Sequence, residues 1–255
     1  MSISLDQIKA LRDKTGVSIT ACKKALEEAN GDEAKAVELL RKKGEAKAAA
    51  REDRSTHEGV IAYSGNDSKV VIMKLLCETD FVAKNSDFVD AANGLAKLLL
   101  DGGLDKDISS EVSDLSLKMG EKLVIDTVKE LEGTNLGVYV HSNNKLGAVV
   151  SLEGTDAAVA KQIAMHVTAA NPTALKPEDV EQSLVDAEHT IWNDELAKSG
   201  KPEAMFEKIL GGKEAKFRNA QALTHQDFVI DPSQKVQQYV ESKGGSIVSY
   251  INLRV

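Results

Sequence analysis

Apolar positions in the first 44 residues recur at helical spacing and are interrupted twice, which predicts three short helices. Leu5, Ile8 and Leu11 mark the first, behind Ser4, whose hydroxyl suits an N-cap, and Thr15-Gly16 ends it. Ser18 opens a second helix carrying Cys22, Ala25, Leu26 and Ala29. Asn30-Gly31 supplies a turn, because both residues tolerate positive φ. Asp32 caps a third helix with Ala36, Val37 and Leu40, and Gly44 is expected to stop it. The charged stretch from Glu45 to His57 reads as a helical extension or a mobile linker. A unit this small buries little core, so a binding surface is a reasonable use for it.

From Gly59 the pattern changes period and then repeats. The segment from Gly59 to Lys84 has a short strand, a turn at Gly65-Asn66-Asp67, a longer β-branched strand, and Thr79-Asp80 before a helical pattern. The segment from Gly137 to Lys161 repeats that order, with its turn at Asn143-Asn144 and Thr155-Asp156 before the helix. Each copy closes with a further strand, Val124–Val128 in the first and Ile247–Leu253 in the second. A hairpin, helices and a returning strand make a small antiparallel sheet covered on one face by helices. Two in tandem predict a duplicated α+β core.

The second copy holds a long helical insertion. Val180, Leu184, Ala187 and Ile191 fall at spacings of four, three and four, the seam of a coiled coil. Ser199-Gly200-Lys201-Pro202 breaks the helix, and a second arm contains Met205, Phe206, Ile209 and Phe217, weakened by Gly211-Gly212. An antiparallel helical hairpin is the simplest reading. Residues 1–54 are thus expected to form the N-terminal unit and linker. Residues 55–136 form the first core subdomain and 137–255 the second, with the hairpin at about 178–220.

Composition then removes function classes. A net charge of −8 and 4% aromatic residues argue against nucleic acid, which needs cationic grooves and stacking rings. No run of about 18 apolar residues exists to span a membrane, and the N-terminus opens into an amphipathic pattern rather than a targeting segment. A cytoplasmic protein is expected. Cys22 and Cys77 lie far apart, outside any zinc or disulfide spacing. Phosphate-binding glycine loops, nucleophile elbows and metal-binding histidine pairs are missing, and the five histidines are scattered. No catalytic residues, metal ligands or cofactor-binding residues emerge.

The two copies differ at one informative place. Thr79-Asp80 and Thr155-Asp156 both suit helix capping. The next residue is Phe81 in the first copy and Ala157 in the second. A large aromatic just after a cap is either a local core plug or a protruding anchor.

Thr79-Asp80-Phe81-Val82-Ala83-Lys84 resembles the T-D-F-V-A-K signature of the elongation factor Ts family. Leu11-Arg12-Asp13-Lys14-Thr15-Gly16-Val17 is similar to its L-R-x-x-T-G-x segment. Cys22-Lys23-Lys24-Ala25-Leu26 with Ala29-Asn30-Gly31-Asp32 resembles its next segment. Ile163-Ala164-Met165-His166-Val167 with Asn171-Pro172, Gly200-Lys201-Pro202 and Phe228-Val229 with Asp231-Pro232-Ser233 also fit, in the family's order.

The resemblance implies a UBA-like three-helix unit, a duplicated core and a projecting helical hairpin. It implies a guanine nucleotide exchange factor that acts on elongation factor Tu without covalent chemistry. Thr79, Asp80, Phe81 and Val82 would enter the partner near its GDP and Mg²⁺, with Phe81 as a wedge and Asp80 supporting the turn. Arg12, Ile19 and His141 match further partner-contact positions, although Ile19 equally suits a core. A binding or scaffold protein of the same fold is the alternative, and an enzyme with a diffuse site between the halves is a second rival.

Overall fold

The computed structural model describes residues 3–49 and 51–255, with side chains outside 45–49. Three helices come first: α1 (Leu5–Thr15), α2 (Ile19–Glu28) and α3 (Glu33–Ala49). Ser4 and Gln7 form a reciprocal capping box, and Gly16 ends α1 at φ 67°. Ser18 and Asp32 cap α2 and α3, and Asn30 and Gly31 turn the chain at φ 51° and 83°. Ile8, Leu11, Cys22, Leu26, Ala36 and Leu40 close a small core.

Gly44 does not stop α3. The helix continues to Ala49, and a Cβ at Gly44 would lie 3.0 Å from the Leu117 side chain. Close approach to a neighbouring helix, rather than a left-handed cap, explains the glycine. Of the two readings of the following charged stretch, the helical extension holds as far as Ala49.

The first copy runs β1 (Glu58–Gly65), β2 (Lys69–Cys77), α4 (Asp80–Ala83), α5 (Ser86–Gly102), α6 (Ser109–Met119) and β3 (Val124–Glu132). The second begins with β4 (Asn135–Val140), β5 (Leu146–Glu153) and α7 (Ala157–Ala170). Its insertion is α8 (Gln182–Ala197) and α9 (Phe206–Gln221). It finishes with β6 (Asp227–Phe228), β7 (Asp231–Lys235), α10 (Val236–Ser242) and β8 (Ser246–Arg254). The sheets are antiparallel, ordered β1-β2-β3 and β4-β5-β8, so each returning strand joins the long strand of its hairpin. Both central strands carry a register shift near the same point, at Lys74/Leu75 and at Ser151/Leu152.

Helices cover one face of each sheet. Val71, Met73 and Leu75 of β2 face Phe88, Leu95 and Leu99 of α5, while Ala148, Val150 and Leu152 of β5 face Ile163 and Val167 of α7. The opposite faces pack on each other through Ile61, Val70, Ile72, Val149, Ile251 and Leu253. Both sheets are therefore buried on two sides, which is why β2 reads as a continuous apolar run rather than an alternation.

The hairpin insertion forms with Val180 buried as expected, but along α8 its seam lies one residue away from the expected register. Leu184 and Ile191 are 40% and 53% exposed, whereas Val185, Trp192 and Leu196 are buried. His189 and Trp192 supply what the aliphatic count missed. The His189 Nε2 meets Glu214 at 3.0 Å across the hairpin, and the Trp192 ring packs edge-on against Phe217. A tryptophan buries more area than an isoleucine, and the partnered histidine can sit in a seam that excludes most polar groups.

Candidate functional site

The turn after β2 is built by hydrogen bonds from the far end of the same copy. Thr79, extended at φ −125°, caps α4 by accepting from Val82 N at 3.4 Å. Its hydroxyl donates to Glu121 Oε1 at 2.5 Å, and the backbone N–H groups of Glu78 and Thr79 both donate to Glu121 Oε2, at 2.9 and 3.0 Å. The clasp is reciprocal, because Glu78 Oε1 accepts from Lys122 N at 2.6 Å. Arg54 also pairs with Glu78 at 3.0 Å, and these donors hold the Glu78 carboxyl below its usual range, the Lys122 N–H contributing most. Beneath the turn, burial pushes the Cys77 thiol up to about 12, so it is a packed, inert group.

On this mount Phe81 is 83% exposed. It is not a core plug. Val82 and Ala83 face inward instead, against the first sheet's core. Asp80 turns toward the solvent side of the short helix, where Lys84 Nζ reaches its Oδ2 at 2.7 Å and keeps the carboxyl ionised below its usual range. The Thr-Asp pair shared by the copies plays two roles. In the first copy Thr79 is the cap; in the second Asp156 is, accepting from Val159 N at 2.9 Å, so that helix starts one residue later.

His141 lies in the β4–β5 turn, which reaches the edge of the first sheet. Ile61 N of β1 donates to Asn144 O at 2.6 Å, and Lys145 pairs with Glu58. The same strand, β1, also packs against the short helix α4 that carries Phe81, so this turn and the Phe81 turn share one sheet edge. The Tyr139 hydroxyl orients the exposed His141 ring at 3.0 Å through Nδ1. Arg12 and Ile19 are exposed on the N-terminal helices, Ile19 to 53%, so Ile19 is not core. Among the described residues, no hydrogen bond or ion pair joins either of them to residues 79–82.

Glu58, Glu121 and Lys145 were not singled out by the sequence. Each acts through a contact between distant segments, and an isolated Glu or Lys carries no local signal of that kind. Among the described residues there is no group of three or more His, Cys, Asp or Glu placed to hold a metal ion, and no helix is long and apolar enough to cross a membrane.

A family model described as Elongation factor TS matches residues 78–255, beginning at the clasped turn itself. The chain belongs to the elongation factor Ts family. Elongation factor Ts of Psychromonas ingrahamii is 39% identical over 267 residues, covering 100% of this chain and 91% of that protein. The Hydrogenobaculum protein of the same name is 35% identical over 272 residues, covering 100% and 99%. That of Christiangramia forsetii is 38% identical over 261 residues, covering 96% and 95%. Elongation factor Ts relatives along the full length make this chain a translation elongation factor.

Proposed function

We propose that the chain is a guanine nucleotide exchange factor for elongation factor Tu, with Phe81 as the group that disturbs the partner's GDP and Mg²⁺ site. The observation that carries this reading is the exposure of Phe81 on a turn held by three hydrogen bonds to one carboxylate. An aromatic ring left in water costs hydrophobic free energy, and rigid presentation limits the entropy lost when it enters a pocket. The second copy has Ala157 at the equivalent place, so the duplication itself does not require the ring.

Asp80, Thr79 and Val82 support the presentation: one caps the short helix, one pairs along it, and one anchors its inner face. His141, beside the same edge, and Arg12 and Ile19, on the N-terminal helices, add contact surface.

The mechanism is differential binding. GDP and Mg²⁺ are held in such partners by backbone N–H groups, a lysine and the metal. A contact that favours a distorted, metal-poor site weakens GDP, and bound GDP weakens the contact by the same factor. A 100-fold shift in GDP affinity requires about 2.7 kcal/mol of coupling, within reach of one desolvated aromatic and its neighbours. No nucleophile is needed. Release of fluorescent GDP from elongation factor Tu tests the proposal: acceleration by catalytic amounts of the chain is expected, and binding without acceleration would leave a scaffold of the same fold.

A further inference from the structure

We infer that Glu121 is a positioning residue for exchange, acting through the Phe81 turn. The inference rests on the exchange reading of Phe81. It concerns a side chain 40 residues further along, on the α6–β3 connection.

The helix that carries Phe81 has four residues. A single turn does not sustain itself, because nucleation fixes several residues for very few hydrogen bonds. The direction of Phe81 is therefore set by external anchors, and Glu121 supplies three of their hydrogen bonds from one carboxylate. Its Oε2 accepts from two successive backbone N–H groups, Glu78 at 2.9 Å and Thr79 at 3.0 Å. Its Oε1 takes the single hydroxyl proton of Thr79, which leaves a Thr79 lone pair aimed at Val82 N. Cap and clasp are thus one network. Removing the carboxylate frees the hydroxyl to rotate and leaves two part-buried N–H groups without their partner.

Glu121 is itself fixed. Ser116 in the last turn of α6 donates its hydroxyl to Glu121 O at 2.5 Å, and Gly120 ends that helix at φ 79°. The second copy provides an internal control. There Asp156 caps a 14-residue helix that needs no outside help, and among the described residues no carboxylate accepts from Thr155. The clasp occurs in the copy that has the exposed ring, and the copy with Ala157 lacks both.

The test is a double-mutant cycle on the full chain, reading GDP release from elongation factor Tu at saturating factor. The variants are Glu121→Ala, Phe81→Ala and the pair, each with a thermal melt. Glu121→Ala is expected to slow release about tenfold, equivalent to ~1.4 kcal/mol. Because Glu121 acts through the ring, the double variant should be no slower than Phe81→Ala. Glu121→Gln keeps one acceptor oxygen and should fall between wild type and Glu121→Ala; it also stands in if the alanine variant fails to fold.

Wild-type rates for Glu121→Gln and Glu121→Ala would overturn the inference and leave the exchange reading intact. So would losses that multiply in the double variant, since these mark an independent structural role. If Phe81→Ala itself releases GDP at the wild-type rate, the exchange reading of Phe81 fails first and takes this inference with it.

Discussion

Gly137 in β4 allows that strand to lie directly on the backbone of α7. A Cβ added there would stand 2.1 Å from Ala160 C and Lys161 N and 2.5 Å from Ala160 O. Its φ is not in the left-handed region, so Gly137→Ala isolates packing from backbone strain. To reach ordinary contact at 3.4 Å the helix and strand must part by more than 1 Å, and the obstructing atoms are backbone rather than the end of a flexible side chain. Overpacking of this kind costs ~1–3 kcal/mol, and immovable neighbours put the site at the upper end. For a chain of this size that lowers the melting temperature by roughly 5–10 °C. Gly211→Ala and Gly212→Ala serve as controls of opposite sign. Both sit inside α9 with nothing within 4 Å of the added methyl, so each should stabilise by about 0.4–1 kcal/mol. Thermal unfolding followed by circular dichroism compares them. A Gly137→Ala melt at or above the wild-type temperature would refute the close approach.

Three further outcomes follow from particular contacts. His166 is fully buried, with Nδ1 accepting from Val229 N and Nε2 against Gln226 Oε1, and burial lowers its pKa below 6.5. The unfolded chain therefore binds a proton first, so stability should fall as pH drops from about 7 through 6.5 toward the folded value; denaturant titrations of His166→Gln should show a flatter dependence. Leu117→Ala removes the α6 contact on Gly44 and on the N-terminal core, so amide exchange in α1–α3 should accelerate while β2 stays protected. Trp192→Ala should destabilise the hairpin by about 3 kcal/mol, whereas Ile191→Ala, on its outer face, should stay within about 0.5 kcal/mol, as local proteolysis would measure.

Much of the fold is visible as periodicity. Ser4, Ser18 and Asp32 announce the helices they cap, and Asn30-Gly31 and Gly200 mark turns because the chain there needs positive φ. The duplication is legible as well, since each copy repeats strand, turn, strand and Thr-Asp. What escaped depends on contacts between distant segments. Gly44 looks like a stop until α6 is laid against it. The hairpin seam hides behind His189, which counts as polar in any pattern but is satisfied by Glu214 across the hairpin. Sheet-to-sheet packing through Ile72 and Val149 was not among the sequence expectations, because an apolar strand does not name what covers its second face. At the site, the contrast between Phe81 and Ala157 posed the question of plug or anchor, and only the surface of the folded chain answers it. Glu121 had no local signal at all.

The most direct test of the account is the rate of fluorescent GDP release from elongation factor Tu with saturating wild-type chain and with Phe81→Ala, each paired with a melt. With 83% of its surface in solvent, the ring contributes about a fifth or less of the ~1.5–3 kcal/mol of a fully buried phenylalanine, so truncation should cost ~0.5 kcal/mol or less of stability. As an interface anchor it should carry about 2 kcal/mol, a roughly 30-fold slower release. Slow release with an unshifted melt is the predicted result. Equal release from both chains, or a melting temperature that collapses along with the rate, would contradict it.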